Sequence, residues 1–188
     1  MSEKYSSHWY RRWTLLPLIV VLALTAIFAK RLIDIDSNKP ASFIPTVLLN
    51  TSVPDINLDP LPNRGEGLKS NNLKGSLVLL NFWGSWCGAC LIEHELLMRI
   101  KKKKIIPIHG IAWRDLPINS INWLEKYGDP YSLIGQDPNS NAAIAFGVTG
   151  APETFMINND GIIIYKHTGP ITEEIWKNDF MPLIQEYR

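Results

Sequence analysis

Cys87 and Cys90 are the residues of this chain best suited to chemistry. They lie in the stretch FWGSWCGAC, residues 82–90, with Gly88 and Ala89 between them and no third cysteine in the chain. Neither can staple distant parts of the fold, so the pair either closes on itself or works as a reactive couple. The stretch falls where a buried strand gives way to a helix. A cysteine at a helix start lies beside unpaired N–H groups and the positive end of the dipole. Both favour thiolate and can bring its pKa from ~8.5 down to ~3.5–7.5. Cys87 is therefore expected to be the attacking, accessible sulfur. Cys90, one turn on, can resolve a mixed disulfide made by Cys87, which makes the pair a reversible two-electron device.

Other uses of the pair fit less well. A purely structural disulfide gains little from so short a loop. A zinc site would recruit His94, four residues after Cys90, to join Cys87 and Cys90, but His94 reads more simply as an exposed helix residue. Covalent haem attachment needs a histidine where Leu91 stands. Trp83 and Trp86 suit packing and function equally.

The surrounding elements follow from hydrophobic period. Ser76 to Phe82 is a short apolar run with no polar alternation, as expected of a strand buried on both faces. Leu91, Ile92, Leu96, Leu97 and Ile100 recur at helical spacing, and Lys101 to Lys104 complement the helix C-terminus as a solvated end. Ile105 to Trp113 is again apolar, and Pro117 to Tyr127 predicts a second helix. This alternation implies a parallel sheet with helices on its faces. Asn139 to Phe146 predicts another helix, broken by residues 147–152. Thr154 to Ile157 and Ile162 to Lys166 flank Asn158-Asn159-Asp160-Gly161, a hairpin signal. A last helix is expected from Thr172, its N-cap candidate. Residues 52–72 are rich in Pro, Gly, Asn and Asp and predict turns with at most two short strands.

The N-terminus carries a separate signal. Trp13 to Ala29 is an uncharged, mostly apolar run of 17 residues, near the lower limit for a membrane span. Lys4, Arg11 and Arg12 precede it and Lys30 and Arg31 follow, a slight bias that places the N-terminus inside and the domain outside. A cleaved signal peptide is the alternative, but Leu24 or Ile27 would occupy the site that cleavage reserves for a small residue. The expected organisation is a cytoplasmic tail at 1–12, a transmembrane signal anchor at 13–29, a tether at 30–45 and one folded domain at 46–188. Across the chain, 19 Lys and Arg nearly balance 18 Asp and Glu, so nothing suggests a nucleic-acid partner.

The stretch NFWGSWC with GAC, the helix bearing Glu93, WLEKYGDPYSL at 123–133, GVTGAPETF at 147–155 and INNDGIIIYKHTGPI at 157–171 together resemble a known family. They are similar to thioredoxin-fold proteins, specifically the membrane-tethered thiol:disulfide interchange reductases of cytochrome c maturation, the DsbE/CcmG type. The resemblance runs from about Val53 to the C-terminus. It implies a central mixed sheet flanked by helices and a disulfide redox centre at Cys87 and Cys90. It implies a cis Pro152 with Ala151 pairing to substrate, a substrate-facing Trp86, and acidic groups at Glu153 and Glu93 near the thiols. Glu153 is expected to raise a nearby thiol pKa by like-charge repulsion; Glu93 is open to reading as a solvated helix residue. Gly88-Ala89 departs from the family, which usually has proline there, and this bears on redox poise.

The resemblance further implies an inner-membrane, periplasm-facing oxidoreductase with no cofactor or metal. Its electron donor would be a membrane thiol reductase, and its partner apocytochrome c or a haem-ligation thiol protein. Two alternatives stand beside it. One is a general extracytoplasmic reductase or isomerase; the other is a non-enzymatic metallochaperone built on Cys87, Cys90 and His94.

Overall fold

The computed structural model describes residues 16–37 and 48–187, which fall in two units: an N-terminal helix, and a compact domain containing everything from Leu48 onward. The expected tail at 1–12, the start of the apolar run at 13–15 and residues 38–45 of the expected tether lie outside the described residues. Helix α1 is Leu16–Ser37. Its apolar side chains from Leu16 to Phe28 are exposed. Among the described residues, no helix is long and apolar enough to cross a membrane. The helix also runs through the first part of the expected tether. No Gly or Pro interrupts residues 30–39, and the Lys, Arg and Leu residues there favour helix.

The domain is built on a five-stranded sheet in the order β5-β4-β3-β6-β7. The central strand β3 is Val78–Trp83, and all six residues are buried, as its lack of polar alternation requires. Helix α2, Gly88–Lys102, leads to β4, Ile108–Trp113, and helix α3, Pro117–Tyr127, leads to β5, Leu133–Asp137. Strands β3, β4 and β5 are parallel. Helix α4, Asn141–Ala145, precedes β6, Glu153–Ile157, and β7, Ile163–Thr168. These last two strands run antiparallel, and β6 also runs antiparallel to β3.

Successive residues of a strand face opposite sides of the sheet, so β3 divides the core. Leu79 and Trp83 join Leu96, Leu97 and Ile100 of α2, Trp123 and Leu124 of α3, and Trp176 and Phe180 near the C-terminus. Val78, Leu80 and Phe82 join Phe146, Phe155 and the N-terminal residues Val53, Ile56 and Leu73 on the other face. The hairpin turn is closed by Asn158, whose Oδ1 accepts from the N–H of Asp160 and of Ile162 at 3.0 and 2.9 Å. Gly161 supplies the required positive φ of 78°. Thr172 caps the final helical segment by accepting from the Ile175 N–H at 3.2 Å. That segment comprises α5, Glu173–Ile175, a π-helical turn at Trp176–Phe180, and α6, Met181–Glu186.

Strand β5 and His94 differ from expectation. Strand β5 is not announced by the sequence, because its glycine weakens the strand pattern. The glycine is needed: a Cβ on Gly135 would lie 2.7 Å from Leu58 Cβ, where the short ribbon of β1, Asn57–Leu58, and β2, Leu68–Lys69, crosses it. His94, expected on an exposed helix face, is buried. Its ring packs edge-on to Trp123 with centroids 4.4 Å apart, because α3 covers that face of α2.

Candidate active site

Cys87 is the N-cap of α2, and its Sγ accepts from the Cys90 N–H at 3.0 Å. The two cysteines form a disulfide with Cα atoms 5.3 Å apart. Cys87 exposes 5% of its surface and Cys90 2%. The order is the expected one, but the expected accessible sulfur is a narrow window rather than an open face. Both cysteines pack into the same apolar cluster as Trp83, Leu97 and Met156.

The loop before Cys87 is held from the β4–α3 connection. Asp115 Oδ2 accepts from the Ser85 N–H at 2.7 Å, and Oδ1 accepts from Ser85 Oγ at 2.7 Å. Asp115 Oδ2 also accepts from Ser120 Oγ at 2.7 Å. Trp86 stands beside the disulfide with 53% of its surface exposed. Its indole N–H donates to the Trp113 carbonyl at 3.1 Å. Gly84 makes room for this fold-back, since a Cβ there would meet Trp86 Nε1 at 2.5 Å.

Glu93 lies three residues beyond Cys90, on the same side of α2, and is 1% exposed. Its Oε1 accepts from Asn81 Nδ2 and its Oε2 from the Ile171 N–H, both at 2.8 Å. Asn81 also donates to Thr154 Oγ1 at 2.9 Å and accepts from the Tyr131 hydroxyl at 2.8 Å. Burial outweighs the two donors and pushes the Glu93 carboxyl up to about 7. Burial, with the Glu93 and Asp129 charges, lifts Tyr131 well above the usual phenol range, so its hydroxyl remains a donor. A carboxyl that gains and loses its proton near neutrality, one turn past Cys90, is suited to proton exchange with a thiol.

The Ala151–Pro152 peptide bond is cis. Ala151 packs against the cluster that contains both cysteines. Glu153 behaves otherwise than expected. It pairs with Phe82 across β3 and so faces the sheet side opposite Glu93 and the disulfide. There Oε1 accepts from Thr149 N–H, Thr149 Oγ1 and Gly150 N–H at 2.8, 2.6 and 3.2 Å. The Lys166 ammonium lies 2.7 Å from Oε2, a contact of charge rather than an aligned hydrogen bond. This corrects the expectation that Glu153 acts on the thiols. Strand alternation turns it away from them, and its charge is neutralised by Lys166.

The third ligand of the metallochaperone reading, His94, is engaged through one ring nitrogen. His94 Nε2 lies 3.1 Å from the carbonyls of Tyr127 and of Gly128 and must carry the proton it donates to them. Burial lowers the pKa of the ring. Among the described residues, no group of three or more potential ligands is arranged to hold a metal.

Asn81, Asp115 and Tyr131 around the disulfide, and Lys166 beside Glu153, are not singled out by motif. Only Asn81 carried a local signal, as an amide inside an otherwise apolar strand.

The redoxin family matches residues 48–180. The thiol:disulfide interchange protein DsbE of Allochromatium vinosum is 36% identical over 174 residues, 93% of each chain. This chain belongs to the redoxin family, among the DsbE-type thiol:disulfide interchange proteins. The DsbE of Escherichia coli K12 is 33% identical over 94% of this chain and 96% of its own. A thioredoxin-family thiol:disulfide interchange protein from Chlorobium tepidum superposes with a TM-score of 0.60 at 23% identity, over 73% of this chain and 96% of its own. That likeness shows the fold, which is thioredoxin-like with a central mixed sheet. This DsbE-type redoxin is a protein-disulfide oxidoreductase, and its Cys87–Cys90 pair is in the disulfide form in this structure.

Proposed function

We propose that this redoxin is a membrane-anchored reductase facing the periplasm, which reduces the cysteines of apocytochrome c, or of a thiol protein of the haem-ligation apparatus. The observation that carries the reading is the placement of the sulfurs. Cys87 caps a helix yet shows only 5% of its surface, so its partner must bring a disulfide into the window beside Trp86 and the Ala151–Pro152 peptide. Anchoring rests on the apolar run from Trp13 to Ala29, of which the described part is helical with exposed apolar side chains.

In the reduced protein the Cys87 thiolate attacks one sulfur of the partner's disulfide and expels the other as a thiolate, which takes a proton. Cys90 then gives up its proton, with Glu93 as acceptor, and attacks Cys87 Sγ. The partner leaves with both cysteines reduced, and the Cys87–Cys90 disulfide forms in exchange. Two electrons have passed to the partner. A membrane thiol reductase restores the dithiol by the reverse exchange. Ala151 presents its backbone to the partner's extended segment, as in strand addition.

Substituting Cys90→Ala removes the resolving sulfur and should strand the partner on Cys87. Mixed disulfides recovered from membranes and identified by mass spectrometry should be dominated by apocytochrome c or a ligation thiol protein, and a deletion strain should lose covalently bound haem. A wide range of unrelated secreted proteins, with cytochrome c assembly intact, would favour a general reductase or isomerase instead.

A further inference from the structure

Glu153 and Lys166 stand apart from the sulfur chemistry, yet they form a buried pair of charges that converges on a single loop. Their side chains are 0% and 7% exposed respectively. Lys166 lies opposite Phe155 in the β6–β7 ladder, with its ammonium 5.2 Å from the Phe155 ring centroid. From there Nζ donates to the Gly147 carbonyl at 2.9 Å while lying 2.7 Å from Glu153 Oε2. The other oxygen of Glu153 gathers the N–H groups of Thr149 and Gly150 and the Thr149 hydroxyl. Both ends of the segment from Gly147 to Gly150 are thereby tied to adjacent strands, and the next residue is Ala151.

The start of the segment is also held by the Gly147 and Val148 N–H groups, which donate to the Ile144 and Ala143 carbonyls at 3.0 and 2.8 Å, but past Val148 the backbone has little else to hold it. Among the described residues, the N–H groups of Thr149 and Gly150 have Glu153 Oε1 as their sole hydrogen-bond partner, and the Ala151 backbone has none. An unpartnered backbone beside a cis-proline is in position to pair with an incoming strand only if the loop before it keeps its shape. A buried ion pair adds little net stability over apolar side chains of equal volume, so this one is better accounted for by what it orders.

We infer that Lys166 and Glu153 are positioning residues that hold the Gly147–Ala151 loop in the form that pairs with an extended polypeptide, and thereby favour polypeptide disulfides over small ones. This rests on the substrate-pairing role proposed above for Ala151. The full chain, reduced and held in mild detergent, can be assayed against two oxidants. One is a peptide with an internal Cys-x-x-Cys disulfide; the other is bis(2-hydroxyethyl) disulfide, which has no backbone to pair.

Lys166→Met should lower the peptide-to-small-disulfide rate ratio about tenfold, as expected for losing a charge-assisted contact, and mainly through KM. Lys166→Arg, which keeps the cation, should restore most of the ratio. Thr149→Val alters an exposed residue and removes one donor to Glu153; it should lower the ratio about threefold. A folded Lys166→Met with an unchanged ratio overturns the inference. If that variant does not fold, an unchanged ratio in Thr149→Val overturns it. A wild-type chain with no preference for the peptide would defeat the pairing role of Ala151 itself. A preference that survives the substitutions defeats only the loop-holding role.

Discussion

Glu93 is the residue whose surroundings change its chemistry most. Buried between Asn81 and Ile171, it titrates at about 7 rather than 4.5. The folded protein thus holds this proton more tightly than the unfolded chain does. As pH rises through the window from 4.5 to about 7, the unfolded state ionises first and stability falls. Below that window both states are protonated and no penalty remains. The oxidised protein should therefore lose about 3 kcal/mol of stability between about pH 4 and 8, at ~1.36 kcal/mol per pK unit. Urea unfolding of Glu93→Gln should show that slope removed. The same slope in the variant would mean that another group carries it. Cys90 lies one turn away, so the same substitution also removes the proposed acceptor for its proton.

At the scale of elements, the start of α2 is only as well placed as the loop before it. That loop is fixed across 30 residues of sequence by Asp115, which takes the Ser85 N–H and Oγ on its two oxygens. Asp115→Ala would leave those donors and the Ser120 hydroxyl without their acceptor. The expected cost is about 2–3 kcal/mol, less than the sum of separate charge-assisted hydrogen bonds because water can replace part of them. Equilibrium unfolding measures that cost. Alkylation of the reduced protein should show Cys87 reacting faster as its window widens, whereas unchanged stability and unchanged alkylation would show that the loop holds its own shape. The Asn81–Glu93–Tyr131 network joins β3, α2 and the segment entering β5 in the same way, behind the disulfide rather than before it.

The whole molecule joins an apolar N-terminal helix to a thioredoxin-like domain, and the proposed function requires that domain on the outer side of a cytoplasmic membrane. Alkaline phosphatase fused after Ala41 should be active, because that enzyme matures only outside the cytoplasm, and the full chain should resist alkaline extraction from membranes. A fusion active only with a cytoplasmic reporter would remove the cytochrome reading. The near balance of charge, 19 basic against 18 acidic residues, supplies no large net field to steer a partner.

Local patterns made much of this legible from the sequence. The Cys87–Cys90 spacing identified the redox couple. The apolar run ending at Phe82 marked β3, the helical period after Cys90 marked α2, and Pro117 to Tyr127 coincided with α3. Each of these depends on residues within a few positions of one another. What the sequence left open depends on distant residues. Tyr131 meets Asn81 across 50 positions and Ile171 meets Glu93 across 78. The face occupied by Glu153 was fixed by its register against Phe82, which turned an expected thiol neighbour into an organiser of the Gly147–Ala151 loop. His94 was sealed by α3, and β5 was defined by the ribbon packed over Gly135. Burial, which sets the carboxyl of Glu93 near neutrality, is a property of the assembled core, and only the tertiary structure decides it.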